Sequence, residues 1–317
     1  MKILITGGAG NIGASLARRL VKNPAYTVVV VDNLLTGSSF KMPNEYDNFQ
    51  FVKADVNNYN DIAPLMASFN FDYVFHYAAV VGVKRTLKNP MAVLKDIEGI
   101  KNILTLSKNT GVKRVFYSSS SEVYGEPVEI PQVENTTPLN SRLPYAVVKN
   151  VGESFFRTYH KEFGLSYTIF RLFNTYGPLQ SEDFVISKFV ETARKNEPLT
   201  IYGKGLQTRT FCYIDDNLDF TVKCLYEDLF VNDVINVGSD EEITIKDLAS
   251  RVIKITGSSS KMKYLPPLKD GDMLRRLPDV SRMKKTLGRE LVSIDQGIER
   301  TFKAIAGDFD YIKNGRS

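Results

Sequence analysis

Cysteine and histidine are nearly absent from this chain of 317 residues, which has two of each. Cys212 and Cys224 stand twelve positions apart with no histidine nearby, so neither a zinc site nor a disulfide framework has the residues it needs. Buried free thiols and no metal are expected. His76 and His160 are expected as packing or surface residues. No run of five or six like charges occurs, and 41 Lys and Arg against 36 Asp and Glu leave a net charge of +5. That balance does not make an extended nucleic-acid groove, although a few basic residues suffice to grip a small polyanion. The apolar stretch at Met1 to Thr6 is too short for a signal segment or a membrane span. A soluble, cytoplasmic protein with no membrane partner is the expectation.

Hydrophobic residues at 43% and charged residues at 24% suit a globular enzyme with a packed core. Lys2 to Thr6 reads as a strand closed by glycines, and Ala14 to Lys22 has helical spacing with Leu16, Leu20 and Val21 on one side. Thr27 to Val31 is β-branched throughout and ends at Asp32, the pattern of a strand buried on both faces. Apolar runs recur at Phe49 to Val52, Tyr73 to Tyr77, Arg114 to Ser118 and Ser166 to Leu172, separated by helical segments such as Pro90 to Asn109 and Ala146 to Phe163. The alternation predicts an α/β fold, a Rossmann-type doubly wound parallel sheet. Beyond Gly177 the rhythm breaks into a helix near Val185 to Lys195, a strand Leu199 to Tyr202, an irregular basic stretch from Tyr264 through Arg276, and a last helix over Ser293 to Ile305. We therefore expect a cofactor domain over residues 1–175, joined by part of 212–240, and a smaller C-terminal substrate lobe over 176–317.

Gly7, Gly10 and Gly13 form G-x-x-G-x-x-G at the end of the first strand, where the backbone must turn tightly, approach a pyrophosphate and pack helix on strand. Asp32 follows Gly13 by nineteen residues at the next strand end, where a carboxylate can accept both hydroxyls of an adenosine ribose. An anion there repels a 2′-phosphate, so NAD is expected over NADP. Two roles are open to Asp55 at the third strand end: a contact to adenine, or the cap of the following helix. Tyr145 and Lys149 lie four apart and so share a helix face, and an ammonium beside a phenol lowers the phenol's pKa and makes a base of it. Ser119, Ser120, Ser121 and Glu122 close the strand that points its end at the same crevice.

Together these segments resemble the extended short-chain dehydrogenase/reductases that act on nucleotide sugars, the NAD-dependent epimerase/dehydratases. The motifs are GGAGNIG at Gly7 to Gly13, VDNLLTG at Val31 to Gly37, HYAA at His76 to Ala79, SSSSEVYGE at Ser118 to Glu126, YAVVK at Tyr145 to Lys149, RLFNTYGP at Arg171 to Pro178 and YGKGLQTRTFCYIDD at Tyr202 to Asp216. The resemblance implies NAD held by Gly7, Gly10, Asn11, Ile12, Gly13, Asp32, Asn33, Asp55, Val56, Ala78, Ala79, Tyr145 and Lys149. It implies catalysis by Ser120, Tyr145 and Lys149, with Tyr145 taking the proton of the sugar's 4-hydroxyl. A nucleotide-diphosphate sugar would be met by Ser121, Asn174, Tyr202, Arg209, Arg276 and Asp279. A homodimer through the Pro90 to Asn109 and Tyr145 to Phe163 helices is implied as well.

The fate of the 4-keto sugar separates the branches of that family. Dehydratases of the dTDP-glucose type carry an Asp-Glu pair where this chain has Ser121 and Glu122, so the acid that elimination needs is missing. UDP-glucuronate decarboxylases and GDP-mannose dehydratases carry Thr-Ser-Glu there, close to Ser120, Ser121 and Glu122. Glu122 is thus a candidate base or a structural carboxylate. Against decarboxylation stand Glu182 and Asp183 after Gly177 and Pro178, where two acids would repel a hexuronate. The family commonly has Asn where this chain has Asp96. A 4-epimerase is therefore the leading expectation. The alternatives are a decarboxylase or dehydratase, a net 4-dehydrogenase, and a non-catalytic NAD-binding protein.

Overall fold

A computed structural model describes residues 1–267 and 275–307. Seven parallel strands form one sheet: β1 (Lys2–Thr6), β2 (Thr27–Asp32), β3 (Phe49–Lys53), β4 (Tyr73–His76), β5 (Arg114–Ser120), β6 (Ser166–Leu172) and an edge strand, Asp233–Val237. Their spatial order runs edge strand, β6, β5, β4, β1, β2, β3. Chain order reverses between β1 and β4, and a parallel sheet opens a crevice for ligands at that point, beyond the carboxyl ends of its strands.

Alternation along each strand serves both faces. Ile3, Ile5, Val28, Val30, Phe75, Phe116 and Phe170 enter one core, which includes Leu16, Ala17 and Leu20 of the Asn11–Leu20 helix. Leu4, Val29, Val31, Val74, Val115, Tyr117 and Ile169 enter the other, shared with the helices Tyr59–Phe69, Asp96–Thr110 and Pro144–Phe163. Each of these side chains contributes roughly 1.5–3 kcal/mol through burial. The β-branched run of β2 is fully enclosed at Val28 to Val31, as a strand covered on both faces requires.

Other described segments build short two-stranded sheets outside the central one. Leu199–Tyr202 pairs in parallel with Met262–Leu265, and Thr208–Thr210 pairs antiparallel with Glu242–Thr244. Tyr264 and Leu265, expected to begin an irregular stretch, thus end a strand. Its neighbour Leu199–Tyr202 supplies the hydrogen bonds that no local pattern shows. The basic stretch re-enters the described residues at Arg275. A second difference concerns Pro90 to Asn109, expected as one helix. It is two, Pro90–Leu94 and Asp96–Thr110. Lys95 keeps helical angles, but the Glu98 N–H bonds the Lys95 carbonyl three residues back, which tightens the turn at the junction.

Candidate functional site

The glycines shape one end of a cavity of about 590 Å³ beyond the ends of β1, β2, β4 and β5. Gly7 has φ +67°, and a Cβ there would lie 2.6 Å from the Ala78 Cα. A Cβ on Gly13 would lie 2.6 Å from the Gly8 Cα and 2.7 Å from the Gly7 carbonyl oxygen. The backbone therefore crosses where no side chain fits. The Asn11–Leu20 helix begins there with its N-terminal amides aimed at the cavity, and Gly10 at its cap offers no side chain to occupy them. The buried Asn11 Oδ1 has no hydrogen-bond partner among the described residues.

Asp32, at the end of β2, is anchored by the N–H groups of Ala9 at 2.9 Å and Leu34 at 2.7 Å. These fix the carboxylate and leave lone pairs for ribose hydroxyls. Asp55 accepts from the Asn57 N–H at 2.9 Å, whereas the following helix is capped by Asn58, so Asp55 is no helix cap. Asn33, Asp55, Val56, Ala78 and Ala79 all line the cavity with Gly7, Gly10, Asn11, Ile12, Gly13 and Asp32. Glycine contacts, a free helix N-terminus and a positioned carboxylate are what a dinucleotide needs, so the residues present fit NAD.

At the other end Ser120, Ser121, Glu122, Tyr145, Lys149, Asn174 and Arg276 meet. Ser120 ends β5, and its hydroxyl accepts from the Glu122 N–H at 3.2 Å. Pro144 starts the helix carrying Tyr145 and Lys149, its missing N–H being one that the first turn leaves unsatisfied anyway. Lys149 is buried, donates to the Ser118 carbonyl at 2.5 Å and lies 4.9 Å from the centre of the Tyr117 ring. Burial brings its ammonium down to about 8, against the pull of the Asp96 carboxylate. The Tyr145 phenol is pushed up, not down as the spacing suggested: burial dominates, and the Ser120 hydroxyl opposes it only in part. Lys149 is turned onto Ser118 rather than onto the phenol, which is the geometric reason for the difference.

Arg276 has only 5% of its side chain exposed and donates to Glu122 Oε1 at 2.8 Å and to the Ser121 hydroxyl at 3.2 Å. Asn174 lies in the left-handed region at φ 40° and donates to the Thr210 carbonyl. Three expected substrate residues are not among those lining the cavity. Tyr202 ends the strand paired with Met262–Leu265, Arg209 sits opposite Ile243 and donates to the Thr208 carbonyl, and Asp279 accepts from the Ser281 N–H at the start of a helix. Sequence reasoning missed Lys41, Asn57, Arg85 and Gln180, which do line it. No local motif marks them, because each reaches the cavity from a loop or short helix placed by tertiary packing. The repulsion expected from Glu182 and Asp183 is also corrected: neither lines the cavity, and Asp183 accepts from Arg85 at 2.9 Å.

A sequence model of the NAD dependent epimerase/dehydratase family matches residues 3–238. Among curated proteins, the UDP-glucuronic acid decarboxylase 3 of Arabidopsis thaliana is 35% identical over 301 residues, covering 92% of this chain and 84% of that protein. Among solved structures, the UDP-glucose 4-epimerase of Thermotoga maritima with UDP-glucose superposes with a TM-score of 0.91 at 30% identity, covering 98% of this chain and 100% of that one. The UDP-glucuronic acid 4-epimerase of Bacillus cereus, in complex with UDP-glucuronic acid and NAD, has a TM-score of 0.88 at 33% identity and covers 96% and 99%.

Proposed function

Since the chain belongs to the NAD-dependent epimerase/dehydratase family, we propose that it oxidises C4 of a UDP-hexuronate and releases the carboxylate at C5 as carbon dioxide. The observation that carries this reading is the pairing of Arg276 with Glu122 beside Ser120 and Tyr145. A nearly enclosed guanidinium is the group best suited to hold a carboxylate in two hydrogen bonds. A substrate carboxylate on Arg276 would take the place of Glu122 and set Glu122 free.

When bound, NAD would supply the acceptor for a hydride from C4 and, once reduced, the donor for its return. Tyr145 takes the 4-hydroxyl proton as its phenolate, the form that the Ser120 hydroxyl and the Arg276 charge favour against burial, and Ser120 donates to the same oxygen. A hexuronate oxidised at C4 is a β-keto acid. Its C5–C6 bond breaks with the electron pair passing into C5 and the C4 oxygen, where Tyr145 and Ser120 hold the charge. Glu122, which takes a proton from solvent once the substrate carboxylate has displaced it from Arg276, gives that proton to C5, and Tyr145 reprotonates the C4 oxygen as the ketone is reduced. With Asp183 tied to Arg85, the segment after Pro178 no longer opposes an acidic sugar.

A second reading, 4-epimerisation, is supported by the likeness to the Bacillus cereus and Thermotoga maritima enzymes and needs only the C4 steps. Incubating the purified protein with UDP-glucuronate and NAD separates the two. Loss of carbon dioxide from the sugar nucleotide, seen by mass spectrometry, is expected. An unchanged mass with inverted C4 by NMR favours epimerisation, and turnover of UDP-glucose alone overturns the hexuronate assignment.

A further inference from the structure

We propose that Tyr124 is a positioning residue for Arg276: its hydroxyl acts through Asn236 on the backbone from which Arg276 reaches into the site. This rests on the reading of Arg276 as the group that holds the substrate's carboxylate. Tyr124 closes the short turn Ser121–Tyr124 after β5, and the first two residues of that turn, Ser121 and Glu122, accept from Arg276. Tyr124 itself is buried and does not line the cavity. The turn and the arginine's segment are thus joined twice, once inside the site and once behind it.

Donor chemistry sets the direction of the bonds behind the site. Arg171 on β6 can only donate, and its Nη1 lies 2.9 Å from the Tyr124 hydroxyl oxygen. Burial raises the phenol, so it keeps its proton and donates it to Asn236 Oδ1 at 2.8 Å. Asn236 is fully enclosed on the edge strand Asp233–Val237. With its oxygen so engaged, the amide turns its two N–H groups the other way, where they meet the carbonyls of Gln132 at 2.9 Å and Asp279 at 3.3 Å. Gln132 is laced to the same segment, its N–H donating to the Leu277 carbonyl and its carbonyl accepting from the Asp279 N–H, each at 2.8 Å. Leu277 to Asp279 directly follow Arg276, so the orientation of one buried amide fixes the backbone at the root of that arginine. On the other side Arg275 pairs with Glu242 where solvent screens the charges, so the fine placement falls to the buried side. A guanidinium that has to meet a carboxylate in two bonds tolerates little displacement of its base.

Tyr124→Phe removes the hydroxyl alone and keeps the ring that packs on Phe173. The readout is binding without turnover: protein loaded with NADH cannot oxidise a sugar, so calorimetry then gives its affinities for UDP-glucuronate and UDP-glucose. Losing one neutral hydrogen bond should weaken UDP-glucuronate about two- to tenfold and leave UDP-glucose, which has no carboxylate, and NADH within about twofold. In an Arg276→Met background the effect of Tyr124→Phe should vanish, which a general loosening of the fold would not do. In turnover, KM should rise with kcat little changed. Equal losses for both sugar nucleotides that still vanish with Arg276→Met would keep Tyr124 as the positioning residue and fail the carboxylate reading. Unchanged affinity for UDP-glucuronate, a loss that persists in Arg276→Met, a parallel loss of NADH affinity, or no binding of either sugar nucleotide to the unaltered protein would overturn the proposal. Asn236→Ala carries the same test if Tyr124→Phe does not fold, and failure of both to fold would make the network structural and equally overturn it.

Discussion

Replacing Glu153 by Gln tests whether the ion pair behind the site holds β5 and β6 in place. Glu153 is fully enclosed, Arg171 has 2% of its side chain exposed, and they meet through two parallel bonds of 2.9 and 2.8 Å. Glu153 also accepts from Ser119 at 2.7 Å, one residue before Ser120, and from Arg157 at 3.1 Å. Glutamine keeps the volume and one acceptor oxygen but removes the charge and the second acceptor, which leaves the buried Arg171 guanidinium without a counterion beside the Tyr124 hydroxyl and the Glu134 carbonyl. Two unit charges about 4 Å apart attract by about 4 kcal/mol at an effective dielectric of 20, and breaking one side of a buried pair costs about 3–5 kcal/mol. That is a third or more of the total stability of many proteins, about 5–15 kcal/mol. Equilibrium unfolding in urea at pH 7 should show the loss, and Arg171→Met in a double-mutant cycle should show strong coupling. The pH dependence has a definite sign. Burial pushes the Glu153 carboxyl up, but the Arg171 bonds outweigh it and hold the group below its usual value. Its contribution is therefore complete above the unfolded value of about 4.3 and is lost as pH falls through the lower folded value, so the deficit of the Gln variant should shrink in acid. A cost below about 1 kcal/mol at pH 7 would refute the reasoning.

Tyr145→Phe should lower kcat by 10²- to 10⁴-fold, about 3–5 kcal/mol of barrier, with NAD binding retained; a loss under tenfold would move the base elsewhere, Glu122 first. Gly13→Ala places a Cβ 2.6 Å from backbone that cannot yield, so NADH titration should show affinity reduced at least tenfold, and unchanged affinity would refute the glycine cradle. Asp32→Ala should weaken NAD more than NADP by calorimetry, since the anchored carboxylate both holds ribose hydroxyls and repels a 2′-phosphate; equal losses would count against that role. Met91 at 70%, Leu94 at 39% and Val147 at 36% exposure lie on the helices proposed as a dimer face. Light scattering should find a dimer that Met91→Glu with Val147→Glu dissociates, and a monomer at micromolar concentration would sink the proposal.

The strands, the glycine turn and the carboxylate at Asp32 were legible in the sequence because each is a local demand. A β-branched run buried on both faces, a φ of +67° and a backbone crossing at van der Waals distance restrict residue type where they occur. Tyr145 and Lys149 were legible for the same reason, since helical spacing alone makes them neighbours. Spacing did not set the protonation of that pair. Lys149 is turned onto the Ser118 carbonyl, and burial by residues far away in the chain raises the phenol. Tertiary structure also decided which charges cancel. Arg85 neutralises Asp183 from nearly a hundred residues away, and Arg276 reaches Glu122 from more than a hundred and fifty. Electrostatic energy depends on distance and burial in space, and one-dimensional spacing reports neither beyond a helical turn.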